Sequence, residues 1–144
     1  MTLPRPQPGL VIHYAFLRSH EAAAGLQEGL KDRPCAVVVA TQTDPAGDLL
    51  VVVAPVTHSP PGDVTTGIEV PPDVKRRLGL DQSRSWVMLD NLNRFAWPGY
   101  DIRPIPGRAG EFAYGRLPSG LWLRIRDGIL RLNERGSSVR ITPR

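Results

Sequence analysis

Apolar residues fall in short runs punctuated by proline and glycine, and the period of each run separates strands from helices. The string from Leu10 to Leu17 is β-branched and aromatic, which predicts a first strand. Residues 18–32 turn polar and predict a long loop, with one helical turn at Ala22, Ala23 and Ala24; connections beyond about 12 residues are commonly lids or binding loops. Apolar runs on either side of Asp44-Pro45-Ala46-Gly47-Asp48 predict a hairpin of strands 34–41 and 49–56. Short strands follow at residues 67–70 and 86–89. Between them Pro71-Pro72-Asp73 opens a brief helix over 74–78, with Gly79 as its left-handed cap. Beyond the Pro/Gly-rich region 98–110, Leu117, Leu121, Ile125, Ile129 and Leu132 recur at helical spacing. Pro118 or Ser119 starts that helix, and Arg124, Arg126 and Arg131 lie off its stripe.

The ends read differently from the middle. Pro4, Pro6 and Pro8 exclude a helix and predict an extended arm over residues 1–8; Gly136-Ser137-Ser138 predicts a frayed, basic tail over 136–144. The intervening residues 9–135 are expected to form one domain, since 144 residues suffice for a single core.

Composition narrows the function classes. No run approaches the roughly 20 apolar residues of a membrane span, and the N-terminus lacks a secretory pattern, so a cytoplasmic protein is expected. Cys35 is the only cysteine, which excludes an internal disulfide and a cysteine-rich zinc site. The three histidines show no zinc-ligand spacing. A formal charge of +4 favours a polyanionic partner. Arginine carries nearly all of it, the only lysines being Lys31 and Lys75. Guanidinium groups suit phosphate, although a G+C-rich coding sequence also yields surplus arginine.

Several landmarks recur in a particular order: Pro8-Gly9-Leu10-Val11, Glu28-Gly29, Arg33-Pro34 leading into Cys35-Ala36-Val37-Val38, and Val52-Val53-Ala54-Pro55-Val56-Thr57. They continue with Ile68-Glu69-Val70-Pro71, Gly79-Leu80-Asp81, Ser85-Trp86-Val87-Met88-Leu89-Asp90 and Gly115-Arg116-Leu117. This ordered set resembles the MazF/PemK toxins of the CcdB-like superfamily. The resemblance implies a mainly β fold with added helices, an SH3-like small barrel ending in a C-terminal α-helix. It also implies a type II toxin that cleaves single-stranded RNA without a cofactor or metal, works as a homodimer, and is silenced by a cognate antitoxin.

On the same basis Arg33 and Thr57 are the catalytic pair. Arg33 would stabilise charge on the phosphate's equatorial oxygens while Thr57 orients the scissile phosphate for attack by the RNA's own 2′-hydroxyl. Products would carry a cyclic phosphate and a free 5′-hydroxyl, and deoxyribose would block the reaction. Supporting candidates are His58, Asp90 and Arg94; the RNA-binding candidates are Glu28, Lys31, His20, Ser59 and Trp97. Each has a structural alternative. His58 is a proton shuttle or a solvated loop histidine, a regular strand placing it on the face opposite Thr57. Asp90 and Arg94 contact RNA or form an ion pair at a strand end. Trp97 and Phe95 stack on bases or belong to the core. His13 faces solvent or pairs across the sheet, or is presented inward if its strand lies near the groove.

Rival functions remain open. A CcdB-like gyrase poison depends on a Trp-Gly-Ile type ending, whereas this chain closes with Arg140-Ile141-Thr142-Pro143-Arg144. Residues 68–80 are similar to an AbrB-like DNA-binding hairpin, over a small part of the chain. An inactive barrel that binds nucleic acid or a partner protein is the third alternative.

Overall fold

Strand β1 (Leu10–Phe16) is buried along its whole length because both faces of the sheet it belongs to are covered. The computed structural model describes residues 3–18, 31–136 and 139–144, with the side chains of residues 41 and 42 excepted. The long loop therefore lies outside the described residues, and with it the helical turn at 22–24 and the candidates His20 and Glu28.

Strands β2 (Lys31–Thr43) and β3 (Leu49–Thr57) form the expected hairpin, Cys35 facing Pro55 and Val37 facing Val53. Period-two alternation sends Ala36, Val38, Val52, Ala54 and Val56 to one face, and Cys35, Val37, Val51 and Val53 to the other. The first face packs on helix α1 (Pro72–Leu78) through Val74 and Leu78, and on helix α2 (Ser119–Glu134) through Leu121, Ile125 and Leu132. Tyr14, Phe16, Phe95 and Ile102 fill the second. Strands covered on both sides read as continuous apolar runs, which is the pattern seen here.

The remaining strands are β4 (Gly67–Glu69), β5 (Trp86–Met88), β6 (Asn91–Ala96), β7 (Ala113–Arg116) and β8 (Arg140–Pro143). Eight strands make one sheet, ordered β4-β5-β3-β2-β1-β7, with β6 and β8 branching from β3. One edge of β3 serves two neighbours, residues 50–53 pairing with β6 and residues 56–57 with β5. Register shifts between β2 and β3 add bend and twist. The result is a mainly β chain whose curled, largely antiparallel sheet forms a half-barrel carrying two helices among the described residues.

Two glycines set close approaches. Gly79 caps α1 at φ 72°, and a Cβ there would lie 1.8 Å from the Arg108 guanidinium. Gly128 lets α2 settle on Leu89, whose Cδ1 is 2.6 Å from where a Cβ would stand.

The C-terminus corrects the sequence reading. Residues 140–143 are not a frayed tail but strand β8, parallel to β6, with Ile141 beside Leu92 and Thr142 beside Asn93. Beyond it, Arg144 donates to the Ala15 carbonyl at 2.7 Å and to the Asp101 carboxylate at 2.9 Å. Arg140, Thr142 and Pro143 leave Ile141 as the one apolar residue of the strand, and these contacts join segments far apart in sequence. Strand β6 carries no clear sequence signal either, since Asn93 and Arg94 interrupt its apolar pattern. At the other end residues 3–8 form no regular element, yet Leu3 packs against the second core face.

Candidate active site

Arg33 sits near the start of β2, paired with Tyr14 of β1. Carrying the β2–β3 register two residues past Cys35 and Pro55 brings Arg33 opposite Thr57. Both side chains line a cleft of about 510 Å³, and both also line a smaller one of about 280 Å³ on its other side. Arg18 and Ser59 are shared in the same way, so these four residues mark the divide between the two concavities. Arg33 is 8 % exposed, its stem held by the sheet.

Thr57 ends β3, and the chain bends at His58 and Ser59. The Ser59 backbone N–H donates to Thr57 Oγ1 at 3.2 Å, a local turn that occupies one lone pair and leaves the hydroxyl hydrogen to donate elsewhere. The bend also answers the alternation argument: His58 shares the larger cleft with Thr57 instead of being confined to the opposite face.

His58 belongs to a polar chain that reaches into the protein. Its Nε2 is 2.7 Å from Asp81 Oδ2. Asp81 Oδ1 accepts from the Lys75 ammonium at 2.7 Å and from the Ser83 N–H at 3.1 Å. Lys75 is 5 % exposed and donates further to Ser85 Oγ at 2.7 Å and to the Ser83 carbonyl. Burial works to raise the Asp81 pKa, but the hydrogen bond and charge of Lys75, followed by His58, outweigh it and hold the carboxyl below the usual 3.8. A depressed folded-state pKa stabilises the native state above about pH 3.8, and the contribution is lost as pH falls through the folded value. Thermal melts of Asp81→Asn are therefore expected to show a shallower loss of stability between about pH 5 and pH 2 than the wild type; parallel curves would show that this carboxylate is uncoupled from folding.

The same cleft is lined by His13 and Tyr114, joined by a 2.8 Å hydrogen bond between His13 Nδ1 and the phenol. Burial lowers the His13 imidazole against the pull of Asp32, and raises the Tyr114 phenol against that of Arg108. Arg108 lies over the Tyr114 ring at 5.5 Å and donates to the Leu78 carbonyl at 3.1 Å. With Ile105 and Pro106 it brings the 98–112 segment to the cleft.

Other sequence candidates divide. Lys31 lines the larger cleft, Ser59 lines both and Asp90 the smaller one. Arg94 lines neither, being exposed on β6 opposite Val52, and it makes no ion pair with Asp90. Trp97 also lies away from both, against Phe95 at 6.0 Å beside the second core face. Phe95 itself is buried and stacks on Tyr14. Sequence reasoning missed Asp81, Lys75, Tyr114 and Arg108 as site residues and gave His13 little weight. The usable signal is Lys75, one of only two lysines in an arginine-rich chain: an ammonium's three donors suit a closed cage of three acceptors.

Among the described residues no three His, Cys, Asp or Glu side chains gather as metal ligands, and no helix is long and apolar enough to cross a membrane. No family model matches the chain, and no curated protein matches it either.

Proposed function

We propose that this protein is a metal-independent endoribonuclease acting on single-stranded RNA, a MazF/PemK-like toxin built on an SH3-like barrel. The observation that carries this reading is the placement of Arg33 and Thr57 on the divide between two adjoining clefts. A strand crossing that divide has its scissile phosphate over the two side chains and a neighbouring nucleotide on each side. The Arg33 fork then takes two equatorial oxygens, and the Thr57 hydroxyl donates to the phosphate. The 2′-oxygen is the nucleophile, so the protein's task is alignment and charge stabilisation. Arg18, Lys31 and Arg108 add positive charge along the path.

Such a toxin acts in the cytoplasm as a homodimer and arrests growth by cutting mRNA at selected sequences. Its antitoxin would carry an acidic, disordered tail that folds onto the basic clefts.

The test incubates the protein with a long single-stranded RNA in excess chelator. Cleavage is expected to persist, and Thr57→Ala is expected to lower kcat by about 10- to 100-fold, as loss of a hydrogen bond to a charged group does. Intact RNA with the wild type would leave a barrel that binds without cutting.

A further inference from the structure

We propose that His58 is the group that accepts the 2′-hydroxyl proton, with Asp81 and Lys75 acting as positioning residues that hold its ring in the tautomer able to do so. This rests on the ribonuclease reading above and adds a proton acceptor to the Arg33–Thr57 pair.

A buried ammonium anchors the chain of contacts to His58. Lys75 has three N–H donors and three acceptors, in Asp81, Ser83 and Ser85. Asp81 is thereby fixed through Oδ1, which also takes the Ser83 N–H. Its Oδ2 remains for His58 Nε2 at 2.7 Å. An ionised carboxylate is an acceptor only, so the hydrogen in that bond sits on Nε2 and the neutral ring keeps its lone pair on Nδ1. No protein group among the described residues hydrogen-bonds to Nδ1, and the side chain is 57 % exposed in the cleft that holds Arg33 and Thr57. An ordinary surface ion pair needs no buried cation beneath it; here the third member of the chain is 5 % exposed. His13, the other imidazole in the cleft, already spends Nδ1 on Tyr114.

In the step, the 2′-hydroxyl proton passes to Nδ1 as the 2′-oxygen bonds to phosphorus and the P–O5′ bond breaks. The leaving 5′-oxygen takes a proton from water, and the imidazolium returns its proton to the hydroxide formed. The titratable and charged groups that line the cleft with His58 are His13, Arg18, Lys31, Asp32, Arg33, Lys75, Asp81, Arg108 and Tyr114. Comparing His58→Ala with His13→Gln and His20→Gln assigns any acid limb in kcat.

The experiment combines kinetics with imidazole ¹⁵N NMR. His58→Ala is expected to lower kcat about 10²-fold and abolish the acid limb, with KM nearly unchanged. Asp81→Asn, whose amide can donate to Nε2, is expected to shift the ring toward the Nδ1–H form and cost a similar factor. The wild-type spectrum should show Nε2 protonated and Nδ1 bare. Wild-type cleavage that survives His58→Ala with its acid limb intact overturns the role of His58 alone. Intact RNA with the wild type overturns the ribonuclease reading and that role together. A wild-type ring in mixed tautomers overturns the positioning by Asp81 and Lys75, whether or not RNA is cut.

Discussion

Arg33→Ala is expected to lower kcat for RNA cleavage by about 10²- to 10³-fold with little change in KM, the loss seen when one preorganised charge-stabilising donor is removed. The size follows from where the guanidinium starts. Arg33 is 8 % exposed and rooted in a strand paired through Tyr14 on one side, so its orientation is set before substrate arrives. A cation fixed in place stabilises charge that develops on the phosphate without having to reorganise. Arg18, Lys31 and Arg108 line the same cleft, so in the proposed complex ground-state binding does not depend on Arg33 alone and KM is expected to move little. Arg33→Lys keeps the charge and loses the fork, and should recover only part of the rate. Because the residue is buried, a thermal melt of each variant separates lost chemistry from lost fold. A folded Arg33→Ala protein with wild-type kcat would remove this residue from the mechanism.

Asn93→Leu is expected to destabilise the protein by about 2–5 kcal/mol in urea unfolding, a large share of the roughly 5–15 kcal/mol that holds a domain together. Asn93 is fully buried on β6. Its Nδ2 donates to the Leu17 carbonyl at 2.7 Å, and its Oδ1 accepts from the Leu17 N–H at 3.0 Å. One side chain thus satisfies both backbone groups of a residue that has just left β1. Leucine matches the volume and leaves both groups buried without partners, each costing about 1–3 kcal/mol. The Arg144 guanidinium also reaches Asn93 Oδ1 at 3.3 Å, so Arg144→Ala should cost less in the Asn93→Leu background than in the wild type. The consequence extends to the site. Leu17 precedes Arg18, and Asn93 holds the chain where Arg18 enters both clefts. A loss under about 0.5 kcal/mol, the level of an ordinary surface change, would mean that water satisfies Leu17 in the variant.

How far the fold was legible depended on how local its signals are. The β2–β3 hairpin could be read because a turn sequence sits between two apolar runs, and α1 because Pro72 and Gly79 mark its ends. Helix α2 announced itself through Leu121, Ile125 and Leu132. Strand β8 and the Arg144 anchor could not be read, since their partners are Asn93, Asp101 and Ala15, which no local pattern connects to the C-terminus. The site divides along the same line. Arg33 and Thr57 are singled out by the resemblance, since an arginine before a proline and a threonine ending a strand carry no chemistry of their own, and in the fold both line the same two clefts. Asp81 and Lys75 meet His58 through contacts between segments that no local pattern connects. Arg94 is a candidate through the resemblance, and Trp97 through the stacking chemistry of an indole. Strand β6 turns the first to the surface, while the second packs beside the core.

The most direct test of the account is a cleavable RNA carrying one deoxyribose immediately 5′ of the cut phosphate, compared with its all-ribose parent in the presence of chelator. The parent is expected to yield an upstream fragment ending in a 2′,3′-cyclic phosphate and a downstream fragment with a free 5′-hydroxyl, while the substituted strand stays intact at that position. Cutting at the deoxyribose, or a 5′-phosphate on the downstream fragment, would mean that water and not the adjacent hydroxyl attacks, and would contradict it.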